Sequence, residues 1–296
     1  MSILIDQKTK VLVLGITGKS GSLQTKIMKE YGTDIVAGVT PGKGGSKVEG
    51  VPVYDLVSEA LENHQIDVAI SFVPPRFSRD SCLEIIENNI KFLIITAEGI
   101  PEHDIISILQ YANLKGTTVL GPGSAGIITP GKCKIGAHPP QMFLPGHIGI
   151  VSKSGALSYE IGKILSEKGI GQSTVVAIGG GPIWGLKQSD LLPMFEADEE
   201  TKIILLLGEI GGTMEEEAAK IIKEHIKKPV IALIVGKSAP KGKSLGHAGA
   251  IIEGNLGTVE SKVETLKEAG AYIAEDSLDI VRLIKHIEGE KHVDIY

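Results

Sequence analysis

The sequence predicts an α/β protein made of two doubly wound units in tandem. Three observations carry this. Short apolar runs recur along the 296 residues, and they are continuous rather than alternating, as in parallel strands covered on both faces. Helical patterns lie between them, which makes a βαβ series. Glycine is abundant (37) and aromatics are few (4%), which suits many tight strand-to-helix turns.

Taken in order, residues 11–14 form the first predicted strand, ending at Gly15, and 21–30 the first helix. Further strands are predicted at 35–39, 68–73, 92–96 and 118–120, with helices at 80–88 and 102–114. Residues 121–146 are rich in Gly and Pro and have little periodicity, so they read as a connection. The pattern then restarts with a strand at 148–151 and a helix at 156–167. Strands follow at 174–178, 203–207 and 230–235, and helices at 214–226, 259–269 and 278–287. The polar stretch 288–296 is expected to fray. The expected division is 1–122, a connecting segment 123–146, and 147–296.

A net charge of −6 argues against nucleic acid as the main partner. Two cysteines, Cys82 and Cys133, make no disulfide framework and fit packing thiols in a reducing, cytoplasmic compartment. The start, Met1 to Asp6, is too short and too soon charged for a signal peptide, and no run approaches the ~20 apolar residues of a membrane span. No His/Cys cluster has metal-ligand spacing.

The chemistry concentrates in loops that follow strands. Gly15-Ile16-Thr17-Gly18-Lys19-Ser20-Gly21 opens the first helix, where free backbone N–H groups and the helix dipole favour an anion; the alternative is a tight structural turn. It is no Walker A loop, because Val13 stands where the first glycine is needed. It is no NAD site either: position 17 is Thr17, and Lys43 in Gly42-Lys43-Gly44-Gly45 occupies the place of the ribose-binding acid. Thr96-Ala97-Glu98-Gly99 lies at the same sheet edge, with Glu98 also readable as an N-cap partner. In the second half, Ser152-Lys153-Ser154-Gly155-Ala156 and Gly179-Gly180-Gly181-Pro182 are further turns of anion-binding type.

One histidine stands apart. His247 lies in Gly236 to Ala250, rich in glycine and lysine, straight after an apolar strand. It reads either as a solvated loop histidine or as a carrier of a phosphoryl group. Glu209, in Gly208-Glu209-Ile210-Gly211-Gly212, is either a backbone-capping acid or the group that orients that imidazole. His64, His225, His286 and His292 read as solvated, His103 as a helix start, and His138 and His147 as part of the connection.

These residues in this order resemble the alpha subunit of succinate–CoA ligase, one of the NDP-forming acyl-CoA synthetases. The resemblance rests on Gly15-Ile16-Thr17-Gly18, Gly38-Val39-Thr40-Pro41-Gly42-Lys43-Gly44-Gly45, Thr96-Ala97-Glu98-Gly99-Ile100-Pro101, Gly208-Glu209-Ile210-Gly211-Gly212, and Ala239-Pro240-Lys241-Gly242-Lys243 with Gly246-His247-Ala248-Gly249-Ala250. It implies a Rossmann-like CoA-binding domain followed by a flavodoxin-like ligase domain. It implies that Thr17, Gly18, Lys19, Ser20, Lys43, Thr96, Ala97 and Glu98 hold coenzyme A. His247 would be phosphorylated, with Glu209 as its orienting acid. Ser154 and Gly155 would cradle the phosphoryl group, and Tyr159 would lie near the substrate. ATP or GTP with Mg2+ would bind a separate ATP-grasp beta subunit, paired as a heterodimer or heterotetramer.

The chain departs from the family at two places. It has Gly121-Pro122-Gly123-Ser124-Ala125-Gly126 where the family has Gly-Pro-Asn-Cys-Pro-Gly. It also has Gly181 in place of an acid before Pro182. Loss of that carboxylate would suit a more negatively charged acid, so citrate and malate stand beside succinate as substrates. A CoA-binding regulatory protein without catalysis is the reading from another class.

Overall fold

The computed structural model describes residues 2–237, 247, 249–250 and 257–289. Lys241, Lys243 and Ala248 of the histidine loop, Met1, and the terminal stretch from 290 onward lie outside the described residues. The chain divides into two compact units, one of residues 4–140 with 183–186, the other of 141–182 and everything from 187 together with the first residues.

The first unit runs β1 (Lys10–Leu14), α1 (Lys19–Glu30), β2 (Asp34–Val39), β3 (Lys47–Val48), β4 (Val51–Tyr54), α2 (Val57–Asn63), β5 (Val68–Ser71), α3 (Pro75–Glu87), β6 (Phe92–Ile95), α4 (Glu102–Lys115) and β7 (Thr118–Leu120). A hairpin of β8 (Gly126–Thr129) and β9 (Cys133–Gly136) follows. The sheet order is β3-β4-β2-β1-β5-β6-β7, parallel except for β3. Its six parallel strands therefore follow the Rossmann order, which reverses between β1 and β5. Val11 to Leu14 are at most 1% exposed, as strands covered by helices on both faces must be.

The second unit runs β10 (Pro145–Ser152), α5 (Gly155–Glu167), β11 (Gln172–Ala177), α6 (Gln188–Ala197), β12 (Ile203–Glu209), α7 (Met214–His225), β13 (Val230–Val235), α8 (Val259–Glu268), β14 (Tyr272–Ala274) and α9 (Ser277–Ile287). Its parallel strands stand in the order β14-β13-β12-β10-β11, the flavodoxin-like arrangement, which reverses between β10 and β12. Local chemistry fixes the ends. Asp276 accepts the N–H groups of Leu278 and Asp279, both at 2.8 Å, and starts α9. Thr258 accepts from Ser261 N–H at 3.1 Å and starts α8.

The predicted long elements are present, and their boundaries move for identifiable reasons. α3 starts at Pro75 rather than 80, because proline is pre-set for the first helical turn. β12 extends past residue 207 to Glu209. The short elements β3, β4, α2, β8, β9 and β14 give too few residues for a period, and α6 is obscured by Pro193 inside it. Two histidine readings are corrected, that of His64, which is not solvated, and that of His147, which lies in β10 rather than in the connection. His64 is half-buried, with Nε2 2.9 Å from the Tyr54 hydroxyl. His138 is fully buried, and burial, helped by the charge of Lys134, pushes it down to about 3, so it is neutral.

Both cysteines are buried free thiols, raised by burial to about 12 for Cys82 and about 11 for Cys133. Beside Cys133, Lys134 is fully buried in the hairpin, with Nζ donating to Gly136 O at 2.5 Å and to Gln24 Oε1 at 3.3 Å. Burial lowers it from 10.5 to about 8. The native state thus gives up this proton before the unfolded chain does. The cost of the buried charge is complete below about pH 8 and is relieved as pH rises towards 10.5. Thermal unfolding of wild type and Lys134→Met at pH 7 and pH 10 is expected to show the wild type gaining relative to the variant at the higher pH.

Candidate active site

In the first unit, register places four loops at one edge. Leu14 pairs with Val39 and with Ser71, and Ser71 pairs with Ile95, so the loops after β1, β2, β5 and β6 leave the sheet side by side. This is the carboxyl edge, at the point of reversed strand order, where open α/β sheets take ligands. Thr17 is half-buried here, and Gly18, Lys19 and Ser20 are exposed at the N-terminus of α1. Gly18 is the N-cap and offers no side-chain cap, so the first turn keeps its N–H groups for an incoming anion. A Cβ on Gly21 would stand 2.2 Å from Gly15 O, so only glycine lets the turn close this tightly.

Lys43 lies in the next loop, exposed, and the loop is pinned by a residue the sequence did not mark. Asp55 accepts the N–H groups of Lys43 at 2.9 Å and Gly44 at 2.8 Å. Thr96 donates its hydroxyl to Ser71 O at 2.7 Å, holding the β6 loop against β5. Ala97 O accepts from Gly123 N–H at 2.9 Å, and a Cβ on Gly123 would meet Glu98 Cγ at 3.2 Å. The departure at 121–126 therefore lies directly against Glu98. The set fits a phosphate-bearing ligand: a helix N-terminus, two exposed lysines and a backbone free of bulk.

In the second unit, Ser152 pairs with both Ala177 and Leu207, so the loops after β10, β11 and β12 are neighbours at the carboxyl edge. Ser154 caps α5, its Oγ accepting from Leu157 N–H at 3.3 Å, and Gly155 is the first helical residue. Tyr159 sits one turn on, half-buried, with its phenol raised by burial. His247 and Glu209 are brought together from 38 residues apart: Nδ1 lies 2.6 Å from Glu209 Oε2. Glu209 is 7% exposed and the imidazole is partly open to solvent.

The imidazole is seated on the β11 loop. A Cβ on Gly180 would stand 2.2 Å from His247 Cγ, so any side chain there would occupy the ring's place. The loop that carries the histidine is tied to the same segment, with Gly249 N–H donating to Gly180 O at 3.1 Å and Ala250 N–H to His247 O at 3.1 Å. A carboxylate on Nδ1 fixes that nitrogen as the protonated one and leaves Nε2 as the nucleophile of the ring. Sequence reasoning marked His247, Glu209 and the glycine loop, but not the groups behind Glu209. Lys153 Nζ lies 3.6 Å from Glu209 Oε1, and Glu215 Oε1 accepts the Glu209 N–H at 3.1 Å. No helix among the described residues is long and apolar enough to cross a membrane.

The two units match two family profiles. Residues 6–99 match the CoA binding domain and residues 151–272 the CoA-ligase domain. The chain is 49% identical over 287 residues to succinate–CoA ligase [ADP-forming] subunit alpha 1 of Archaeoglobus fulgidus, covering 97% of this chain and 98% of that one. It is 50% identical over 283 residues to the corresponding alpha subunit of Methanothermobacter thermautotrophicus, covering 96% of each. Among solved structures it is similar to ATP citrate lyase from Methanothrix soehngenii in complex with citrate and coenzyme A, with a TM-score of 0.86 and 26% identity. That match covers 99% of this chain but only 53% of the other, so the chain spans about half of that enzyme. With a CoA-binding Rossmann-like unit, a ligase unit carrying the His247–Glu209 pair, and full-length identity near one half, the chain belongs to the succinate–CoA ligase alpha-subunit family.

Proposed function

We propose that this chain is the alpha subunit of an ADP-forming succinate–CoA ligase that works through a phosphohistidine at His247. The observation that carries the reading is the 2.6 Å contact between His247 Nδ1 and Glu209 Oε2 at the strand-order reversal of the second unit. A partner subunit follows from the family, and an ATP-grasp beta subunit holding ATP with Mg2+ is the form we propose for it. The assembly we propose is a heterodimer or a heterotetramer of two such pairs. Two buried unbridged thiols suit a cytoplasmic setting.

In this mechanism Nε2 of His247 attacks the γ-phosphorus of ATP, and the P–O bond to ADP breaks with its electron pair. The imidazole gains positive charge, which Glu209 balances through Nδ1–H. The Ser154–Gly155 end of α5 offers a helix N-terminus whose backbone N–H groups and positive dipole end would suit the phosphoryl oxygens. A carboxylate oxygen of the acid then takes the phosphoryl group, the P–N bond breaks, and His247 returns to its neutral form. Tyr159 supplies a phenol near this acid. Coenzyme A, held by Thr17 to Ser20, Lys43 and Thr96 to Glu98, supplies the thiol that takes the acyl group and releases phosphate.

A second reading, citrate as the acid, is favoured by Gly181 in place of the family's acid and by the likeness to a citrate-bound enzyme. Turnover of the co-purified complex with succinate, malate and citrate separates the two. Preference for succinate by a wide margin removes citrate.

Incubating the complex with ATP radiolabelled on its γ-phosphate is expected to label the chain, and His247→Asn to abolish the label. A chain that never labels would favour a CoA-binding regulator. Gly180→Ala is expected to push the ring off Glu209 and slow labelling by about 100-fold, within the cost seen when a catalytic group is misplaced. Asp55→Ala is expected to raise KM for coenzyme A about 5-fold with little change in kcat, because it loosens a binding loop and leaves the histidine untouched.

A further inference from the structure

Behind His247 and Glu209 lies a row of buried charges, Lys153, Glu215 and Lys262, with no role in the steps above. Lys153 is 1% exposed, Glu215 and Lys262 are 0%, and Glu209 is 7%. Lys153 Nζ stands 3.6 Å from Glu209 Oε1 and 3.6 Å from Glu215 Oε1. Glu215 is held from its other side by Lys262 through a short contact at Oε2. Lys262 also donates to Gly212 O at 3.0 Å and pairs with Glu216 Oε2 at 3.2 Å. A Cβ on Gly208 would stand 2.6 Å from Glu215 Oε1, so that glycine clears the space for the carboxylate. The row thus runs His247, Glu209, Lys153, Glu215, Lys262, Glu216.

We propose that Lys153 is a positioning residue for phosphoryl transfer, which keeps Glu209 as an acceptor of the His247 Nδ1 proton, and that Glu215 opposes it. The inference rests on the phosphohistidine reading. Two carboxylates, Glu209 and Glu215, share the Lys153 ammonium, and all three are buried. Without that ammonium, like charges at short range in low dielectric disfavour having both ionised. Glu215 keeps Lys262, so the proton goes to Glu209. A protonated Glu209 donates to Nδ1 instead of accepting from it. The ring hydrogen then moves to Nε2, and the nitrogen that must attack phosphorus has lost its lone pair. Lys153 so selects the reactive tautomer without touching the substrate.

Opposite shifts are the test. The complex is labelled from γ-labelled ATP across pH, with wild type, Lys153→Met, Lys153→Arg and Glu215→Gln compared. Lys153→Met is expected to move the acid limb of the profile up by about one pH unit, so that labelling slows by up to about 10-fold on the acid side and less towards the plateau. Lys153→Arg is expected to restore most of the rate. Glu215→Gln keeps an oxygen for the Glu209 N–H but removes the opposing charge, so its acid limb is expected to move down. If wild type labels and both variants keep its acid limb, or both shift it the same way, the positioning role is overturned even where the rate falls. Should wild type itself fail to label, the phosphohistidine reading fails first and takes this proposal with it.

Discussion

An imidazole attacks phosphorus only when one ring nitrogen is pinned as the hydrogen carrier and the other presents its lone pair. The contact of His247 Nδ1 with Glu209 Oε2 imposes that condition, and much of the second unit is arranged around it. β12 continues to Glu209, so the carboxylate stands on the rigid end of a strand. Gly180 gives the ring a flat seat that no other residue could give. Lys153 faces the second carboxylate oxygen, so Glu209 is held from both sides. A carboxylate on a flexible loop would lose side-chain entropy each time it met the ring; here that ordering is done by the fold.

The two units apply one topological rule to two tasks. In each, strand order reverses beside the first strand, and loops diverge there at the carboxyl edge. The first unit lines that crevice with backbone N–H groups and exposed lysines, a setting suited to an anion that stays in contact with water. The second lines it with buried charges, whose attraction is little screened by solvent. Burying such a row is weak evidence for stability, because desolvation offsets the attraction between partners. Its retention makes sense where the charge on one member, Glu209, must be controlled.

The fold was legible because it depends on local pattern. Runs such as residues 11–14 and 203–207 are apolar without alternation, and only a strand covered on both faces needs that. His247 and Glu209 were legible because each stands among glycines at a strand end. Glu215 and Lys262 were not, and Lys153, though it stands in a marked turn, gave no sign of its carboxylate partners. Glu215-Glu216-Glu217 looks like any acidic first turn favoured by the helix dipole, and Lys262 looks like an ordinary helical lysine. The Glu215–Lys262 contact spans 47 residues and forms only when α7 packs against α8, and Lys153 joins it from the end of β10. Asp55 escaped for the same reason, since its carboxylate reaches back to N–H groups of an earlier loop. Short elements such as β14 and α2 carry too few residues to show a period.

Gly181 bears on the choice of acid through the same geometry. Gly180 touches the imidazole, and Gly181 O lies 2.7 Å from where a Cβ on Gly249 would stand, so the β11 loop forms one wall of the histidine's setting. A carboxylate at position 181, as the family has it, would add negative charge to that wall. Its absence would, under the proposed mechanism, lower the repulsion felt by phosphoryl oxygens and by every further carboxylate of the incoming acid. For succinate the gain is small, because its second carboxylate needs only one countercharge. For a tricarboxylate it is larger, because the extra charge must be desolvated near the phosphoryl group. Under the proposed phosphohistidine mechanism, glycine at this position would leave the wall open to acids of higher charge.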